Sequence, residues 1–260
     1  MHCGPSQKNL DDRCLIMSLE HCKQFLLFAE LNRGAVPSFD AYPFSLPAVR
    51  NLERLEFHPA VTFLVGENGM GKSTLLEAIA VGYGFNAEGG SKNFSFETRA
   101  SHSDLYQYLR LARGFQRPKD GFFLRAESFY NVATQVEELG VTGYGAKPLH
   151  DQSHGESFWS LLMERFRGHG LYMLDEPEAA LSPSRQLAAL VRIHQLVQSG
   201  SQLVIATHSP ILMAYPDARI LHLSEDGIRP VAYQETEHFQ LTRRFMENPQ
   251  RILRELFRED

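Results

Sequence analysis

The sequence is poor in cysteine and has no long apolar run, and each absence excludes a class of protein. Only three cysteines occur among 260 residues, Cys3, Cys14 and Cys22, which excludes a disulfide-rich secreted scaffold. Together with His2 and His21 they match no common zinc pattern. No apolar run approaches the ~20 residues of a membrane-spanning helix, and the first residues lack a secretory signal. We therefore expect a cytoplasmic protein without membrane insertion.

The chain also lacks an excess of positive charge. Its formal net charge is −5, which gives no electrostatic reason for the whole surface to bind nucleic acid. Basic residues cluster locally at 110–119 and at 243–258, the second group with phenylalanines between them. Such a cluster can follow phosphates, although it is more often a solvated face. The sequence leaves both interpretations open.

Short apolar runs alternate with amphipathic segments, which is typical of a mostly parallel sheet with helices on its faces. The predicted strands are 25–31, 52–57, 60–65, 121–126, 171–174, 202–206, 219–223 and 228–232. The predicted helices are 73–81, 104–113, 129–139, 156–166 and 183–198, with two C-terminal helices at about 236–258 that are split at Pro249. We expect residues 1–16 to be a disordered leader and residues 17–260 a single domain with an insertion at about 84–150.

A phosphate-binding loop is predicted at Gly66–Thr74, where GENGMGKST fits the pattern G-x-x-x-x-G-K-[ST]. Glycine lets the backbone wrap closely around a triphosphate, and successive N–H groups and the following helix N-terminus attract its charge. Lys72 would reach the β- and γ-phosphates, and the Ser73 hydroxyl would bind Mg²⁺. A chance match somewhere in the chain has a probability of about one per cent, and the flanking strand and helix lower it further. The predicted ATP-binding residues of the loop are Asn68, Gly69, Gly71, Lys72, Ser73 and Thr74.

Two carboxylates follow the apolar strand predicted at 171–174. Asp175 would lie beside the phosphate loop, because α/β sheets bind ligands at the carboxyl ends of their strands, and it could hold Mg²⁺. Glu176 would point to the opposite side and orient or deprotonate the attacking water. The alternative is a strand that ends in an ordinary polar turn. The preceding phosphate loop favours the catalytic interpretation.

A histidine follows the next strand, predicted at 202–206. His208 stands in the sequence Thr-His-Ser-Pro and could donate a hydrogen bond to the γ-phosphate or to the attacking water. A lone histidine in a loop usually has no such role. The position one strand after the acidic pair favours it here.

In this order, the three sites resemble those of the ATP-binding-cassette (ABC) ATPases. Residues 153–156, Ser-His-Gly-Glu, resemble a degenerate form of that family's LSGGQ signature, and residues 178–183 resemble its D-loop. The resemblance implies that Ser153 and Gly155 bind the γ-phosphate of an ATP held by another subunit. The alternative for Ser153 is a plain helix N-cap.

The resemblance covers roughly residues 25–232 and is closer to SMC/RecF-like and AAA-type ATPases than to transporter subunits. It implies an α/β P-loop fold with a mostly parallel central sheet, an antiparallel N-terminal β part and a small helical insertion. It also implies Mg-dependent hydrolysis of ATP to ADP and phosphate by a head-to-tail homodimer. The Q-loop glutamine is missing after the strand predicted at 121–126, which makes Glu127 the candidate for that metal-side position. Tyr42 and Phe44 are candidates for stacking on adenine, with loop packing as the alternative.

Three functions are compatible with these motifs. The first is a stand-alone ATPase whose dimer closes on nucleic acid or on another protein, as in DNA repair or phage defence. The second is the nucleotide-binding subunit of a membrane transporter, which the incomplete signature and the missing glutamine disfavour. The third is a small-molecule kinase, which would leave the Asp175–Glu176 pair and His208 unexplained.

Overall fold

The structure is a computed structural model that describes residues 24–91, 103–125 and 154–258. In chain order, the strands are β1 (Leu26–Leu31), β2 (Arg54–Glu56), β3 (Val61–Val65), β4 (Leu109–Arg113), β5 (Asp120–Arg125), β6 (Gly170–Asp175), β7 (Gln202–Ala206), β8 (Arg219–Ser224) and β9 (Gly227–Val231). The helices are α1 (Pro47–Arg50), α2 (Lys72–Tyr83), α3 (His154–Ser160), α4 (Pro183–Gln198), α5 (Pro210–Met213), α6 (Glu237–Glu247) and α7 (Pro249–Leu256). A π-helical turn, Leu161–Arg165, continues α3.

The larger sheet has the strand order β5-β6-β7-β3-β8-β9, and only the pair β8–β9 is antiparallel. Every residue of β3, β6 and β7 is buried. These central strands read as continuous apolar runs because both faces of the sheet contribute to hydrophobic clusters. The predicted α/β fold with a mostly parallel central sheet is confirmed.

A smaller antiparallel sheet has the order β2-β1-β4 and contains the predicted N-terminal β part. The fully buried side chain of Gln202 joins it to the larger sheet. Its Oε1 accepts hydrogen bonds from the backbone N–H groups of Phe25 (3.0 Å) and Leu26 (2.9 Å). Its Nε2 donates to the carbonyls of Leu26 (2.8 Å) and His58 (2.9 Å). Because all these bonds are made, the buried amide costs little and holds β1 against the start of β7.

The helix predicted at 104–113 is wrong. Asp104–Tyr108 form a 3-10 turn, and the following residues form β4, which pairs with β1. Leu109 and Leu111 alternate with Arg110, a period-two pattern that suits a strand once a partner edge is present. Leu111 lies on the side of α2, with its Cδ1 3.2 Å from the position a Cβ on Gly82 would take. Pairing with the edge of β1 therefore favoured a strand over a helix for the residues of β4.

Helix boundaries agree well with the sequence signals. The N-cap Ser182 accepts a hydrogen bond from Arg185, and Pro183 occupies the first turn of α4. Gly200 follows the end of that helix with φ 76°, a left-handed conformation that favours glycine. The C-terminal helices α6 and α7 are separated at Asn248, immediately before Pro249.

Several predictions lie outside the described residues, among them the leader at 1–16, the helix at 129–139 and most of the insertion at 84–150. The division of the chain into leader, domain and insertion stays a prediction. Among the residues that the structure describes, no helix combines the length and apolarity needed to cross a membrane.

Candidate nucleotide-binding site

Three parallel neighbours in the sheet, β6, β7 and β3, end at the same edge. The phosphate loop begins at Gly66 immediately after β3, and β6 ends at Asp175. Thr207 and His208 follow β7. Parallel pairing therefore gathers residues that are far apart in sequence at the edge where α/β sheets bind ligands.

The loop glycines meet different backbone demands. A Cβ built on Gly66, whose φ is 149°, would clash with the carbonyl oxygen of Leu223 in β8. Gly69 (φ 82°) and Gly71 (φ 95°) adopt left-handed conformations, and Gly69 has open space around it. The helix α2 begins directly after Gly71, and no described side chain caps it. Its first N–H groups are thus free to bind an anion.

Lys72 is folded onto this loop and is only 4% exposed. Its Nζ donates hydrogen bonds to the carbonyls of Gly66 (2.8 Å) and Glu67 (2.9 Å). Burial lowers the pKa of Lys72 below its ordinary value of 10.5, while Glu176, Asp175 and Glu178 oppose that shift. The ammonium group is thus held between the loop backbone and a set of carboxylates.

Asp175 faces the phosphate loop. Its Oδ1 accepts a hydrogen bond of 3.0 Å from the Ser73 hydroxyl at the start of α2. A hydroxyl and a carboxylate oxygen side by side are the kind of ligands that Mg²⁺ takes in nucleotide sites. Among the described residues, no group of three or more His, Cys, Asp or Glu could hold a metal ion. In nucleotide sites Mg²⁺ usually binds one or two protein groups together with phosphate and water, and the Ser73–Asp175 pair is a candidate for those protein groups.

Glu176 directly follows Asp175, but its carboxylate lies near a different side chain from the one that Asp175 contacts. Its backbone is left-handed (φ 49°), an uncommon conformation for glutamate. Its N–H donates to the carbonyl of Ala206 in β7 (2.9 Å). Its side chain is 41% exposed, with Oε1 3.7 Å from Nε2 of His208. The adjacent carboxylates thus lie against Ser73 and His208 respectively.

Glu178 holds the turn after β7. One carboxylate oxygen accepts a hydrogen bond from the Thr207 hydroxyl (2.7 Å), and the other accepts from the backbone N–H of His208. Thr207 in turn accepts from the N–H of Ser209 (3.0 Å). The sequence analysis placed Glu178 in the D-loop segment but missed this contact. The available signal was a third carboxylate close behind the strand end, near a turn rich in N–H donors.

His208 has a second neighbour that the sequence analysis missed. Its Nδ1 lies 3.0 Å from Nε2 of His238, the second residue of α6. Burial lowers the pKa of both histidines, and the nearby Lys72 ammonium lowers both further. No sequence pattern links the two residues, because they are 30 positions apart and belong to different elements.

The remaining predicted site residues are placed as follows. Asn68 is exposed in the loop, and Thr74 is partly buried in the first turn of α2. Gly155 lies in α3, where an added Cβ would come within 2.7 Å of the carbonyl oxygen of Ala180. Packing within the chain therefore explains this glycine without a nucleotide. Ser153 and Glu127 lie outside the described residues.

The two aromatic candidates for adenine differ in exposure. Phe44 is buried and packs edge-on against Tyr108 with a centroid distance of 4.9 Å. Loop packing, the alternative interpretation, therefore accounts for Phe44. Tyr42 is 65% exposed, and its role in binding adenine stays a prediction.

Two family models match the chain. One, described as "AAA domain", matches residues 40–136. The other, described as "AAA domain, putative AbiEii toxin, Type IV TA system", matches residues 118–214. Together the two ranges contain the phosphate loop, the acidic pair and His208.

Curated relatives carry transporter names. The ABC transporter G family member STR2 of Medicago truncatula is 26% identical over 174 residues, which are 58% of this chain and 24% of that protein. The energy-coupling factor transporter ATP-binding protein EcfA2 of Methanospirillum hungatei is 25% identical over 213 residues, 72% of this chain and 51% of that protein. The chain thus spans about a quarter and about half of the lengths of these two relatives.

Among solved structures, the ATP-binding cassette MJ1267 of an ABC transporter, in its ADP conformation, is similar with a TM-score of 0.45 and 14% identity. The similarity covers 90% of this chain and 99% of that one.

Proposed function

Because the chain belongs to the ABC-type P-loop ATPases, we propose that it binds ATP at Gly66–Thr74 and hydrolyses it to ADP and phosphate. One observation carries this proposal. Two pairs of side chains meet at one edge of the sheet: Ser73 with Asp175 at 3.0 Å, and Glu176 with His208 at 3.7 Å. The first pair suits metal binding and the second suits water activation.

The phosphate loop would bind the triphosphate through backbone N–H groups and through Lys72. The lysine can exchange its bonds to two loop carbonyls for bonds to phosphate oxygens, since its flexible stem lets the ammonium move. Asn68, Gly69, Gly71, Ser73 and Thr74 complete the proposed ATP contacts. A left-handed backbone at Gly69 and Gly71 supports this role, because it turns successive N–H groups toward one side.

Ser73 and Asp175 are the proposed Mg²⁺ ligands, and Glu127 is a further candidate. When bound, Mg²⁺ would neutralise charge that develops on the phosphates during hydrolysis. Asp175 is well suited to hold it, because its carboxylate is buried and already directed at the Ser73 hydroxyl.

Glu176 is the proposed water-orienting residue, and His208 is the proposed donor to the γ-phosphate. The left-handed backbone of Glu176 separates its carboxylate from that of Asp175, so one acid can serve the metal and the other the water. The carboxylate is partly exposed, which gives water access to it. Nε2 of His208 is buried and has no hydrogen-bond partner among the described residues, which leaves it available for a phosphate oxygen.

We further propose that ATP joins two copies of the chain head to tail. Ser153 and Gly155 of one copy would then contact the γ-phosphate bound by the other. The resemblance to the ABC family supports this arrangement. The packing of Gly155 against Ala180 is compatible with it, because a helix start next to the D-loop segment can present its N–H groups outward.

A separate part of the proposal concerns the cellular process that ATP hydrolysis would drive. The match to a family model described for a type IV toxin–antitoxin system favours a stand-alone ATPase with a nucleic-acid or protein partner, as in phage defence or DNA repair. The transporter names of the relatives favour the alternative, a nucleotide-binding subunit. Co-purification with a membrane protein would support that alternative.

The test is phosphate release from ATP with Mg²⁺, measured with DNA, with RNA and without addition at two salt concentrations. Stimulation by nucleic acid that fades with salt would support a nucleic-acid partner. Parallel reactions with candidate acceptors separate hydrolysis from kinase activity. Absence of both ATP binding and phosphate release under all these conditions would contradict the proposal.

A further inference from the structure

We propose that His238 on α6 is a positioning residue for His208. It donates a hydrogen bond from its Nε2 to Nδ1 of His208, which fixes the tautomer of His208 that carries its proton on Nε2. This inference rests on the proposed function of the site, since it assigns the orientation of the histidine that would contact the γ-phosphate.

The distance between the two rings fits a single hydrogen bond, with one proton between the two facing nitrogen atoms. Nδ1 of His208 and Nε2 of His238 are 3.0 Å apart, a normal hydrogen-bond distance, and the ring centroids are 5.2 Å apart. Two neutral imidazoles at this distance must act as one donor and one acceptor. The proton position on one ring therefore fixes the tautomer of the other.

Both rings are in surroundings that favour the neutral form. Burial is the main cause that lowers the pKa of each, and the Lys72 ammonium also lowers both. His222 and the neighbouring ring lower the pKa of His238 further, while Glu237 opposes this and Glu176 opposes the shift of His208. The distance between the two rings would also make a doubly charged pair repulsive.

Electrostatics decides which ring donates. If His208 donated from Nδ1, its Nε2 would direct a bare lone pair toward the Glu176 carboxylate, 3.7 Å away, and toward any bound triphosphate. If His238 donates, Nε2 of His208 carries a proton that faces these negative groups. The second arrangement is favoured, because it places a donor rather than an acceptor next to negative charge.

The second arrangement also suits His238. Its Nδ1 is buried and has no hydrogen-bond partner among the described residues. With the proton on Nε2, this atom is an acceptor, and an unpaired buried acceptor is less costly than an unpaired N–H donor.

The contact couples the C-terminal helices to the site. The helix α6 is N-capped by Thr236, whose hydroxyl accepts from Phe239 N–H, and the Phe239 ring packs on Tyr233 with a centroid distance of 4.7 Å. His238 is thus fixed at the start of the helix, and a displacement of α6 would withdraw its donor from His208.

A matched pair of substitutions tests the direction of the bond. His238→Gln keeps an N–H donor near the position of Nε2, whereas His238→Glu has nearly the same shape and offers only acceptors. His238→Phe keeps a ring and removes the donor without adding charge. We expect kcat for ATP hydrolysis to fall by about tenfold in the Glu and Phe variants with an unchanged KM, because one hydrogen bond to a reacting group is weakened. His238→Gln should recover most of that loss.

His194→Gln is the control, because this histidine contacts Tyr215 and lies outside the site. Its kcat should equal that of the wild-type protein. Equal activity of the His238→Gln and His238→Glu variants would overturn the inference, since shape alone would then account for His238. Thermal melts of all variants identify any that fail to fold.

A second measurement is independent of hydrolysis. In nitrogen-15-histidine-labelled protein without nucleotide, the His208 signals are those that disappear in His208→Gln. We expect a protonated Nε2 and an unprotonated Nδ1 in the wild type and in His238→Gln, and the opposite tautomer in His238→Glu. A proton on Nδ1 of His208 in the wild type would overturn the inference. A wild-type protein with the expected tautomer but no ATP hydrolysis would instead contradict the proposed function.

Discussion

The phosphate loop and the turn around His208 are two halves of one site that are built in opposite ways. The loop is a single stretch of nine residues, Gly66–Thr74, whose geometry comes from its own glycines and from the helix that follows. The turn depends on side chains from other segments: Glu178 holds its backbone, and His238 contacts its imidazole. A local site can be read from a short pattern, whereas an assembled site requires the fold.

The largest expected effect is in the loop half. Lys72→Ala should reduce ATP hydrolysis by at least about 100-fold, because it removes the buried ammonium that is proposed to neutralise the terminal phosphates. Phosphate release and ATP binding are measured together. Lys119→Ala, an exposed change that precedes β5, is the control. Retained turnover in Lys72→Ala would remove the phosphate-loop assignment.

Substitution of Glu176, in the acidic pair next to the turn, should cause a comparable loss of ATP hydrolysis but should preserve ATP binding. Glu176→Gln should slow hydrolysis by about 100-fold or more while ATP remains bound, because the amide keeps the side-chain shape but cannot accept the proton of the attacking water. Size-exclusion chromatography with ATP should then reveal a trapped dimer. Identical monomer profiles of Glu176→Gln and the wild-type protein, with and without ATP, would count against the shared site.

A matched glycine pair sharpens the account of the loop. Gly66→Ala should lower the free energy of unfolding by more than about 1 kcal/mol, because its Cβ would clash with the backbone of Leu223 and its φ of 149° does not suit alanine. Gly69→Ala should cost less, since its Cβ would meet open space and only the left-handed backbone is unfavourable. Urea unfolding of both variants checks the order. Equal losses of unfolding free energy in the two variants would show that the close contact with β8 does not explain the need for glycine at position 66.

The smallest expected effect concerns pH and the histidine pair. Because the folded protein holds His208 and His238 at pKa values below the ordinary 6.5, the unfolded chain binds more protons in mildly acidic solution. The free energy of unfolding should therefore fall as pH decreases through 6.5 toward these lowered pKa values. Unfolding measured between about pH 8 and about pH 5.5 should give a shallower slope in the double variant His208→Gln/His238→Gln. The same slope in both proteins would contradict the lowered pKa values.

Secondary structure could be predicted from the local sequence where the hydrophobic pattern and the helix-capping residues indicated the same element. The predicted bounds of α4 and β7 match those of the structure, because Pro183 and Gly200 mark the two ends of the helix and β7 is the short, buried run that follows Gly200. The prediction failed at 104–113, where leucines are spaced ambiguously and pairing with β1 favoured a strand. Here a nonlocal contact outweighed local propensity.

The candidate site shows the same division. The phosphate-loop pattern predicted Lys72 and Ser73, and positions after apolar strands predicted Asp175, Glu176 and His208. The structure brings these side chains to one edge of the sheet. Their individual roles stay predictions. Two contacts of His208, with Glu178 and His238, were not foreseen. Nothing in a linear pattern specifies which side chain of a distant helix will meet a given imidazole.

The sequence by itself determined the phosphate loop and the strands that precede each polar cluster, since these depend on glycine flexibility and on short apolar runs. Only the tertiary structure decided that the carboxylates of Asp175 and Glu176 lie against different partners, and that α6 reaches His208. The physical reason is that these contacts depend on strand order and helix packing. Both arise from burial summed over the whole chain rather than from any one segment.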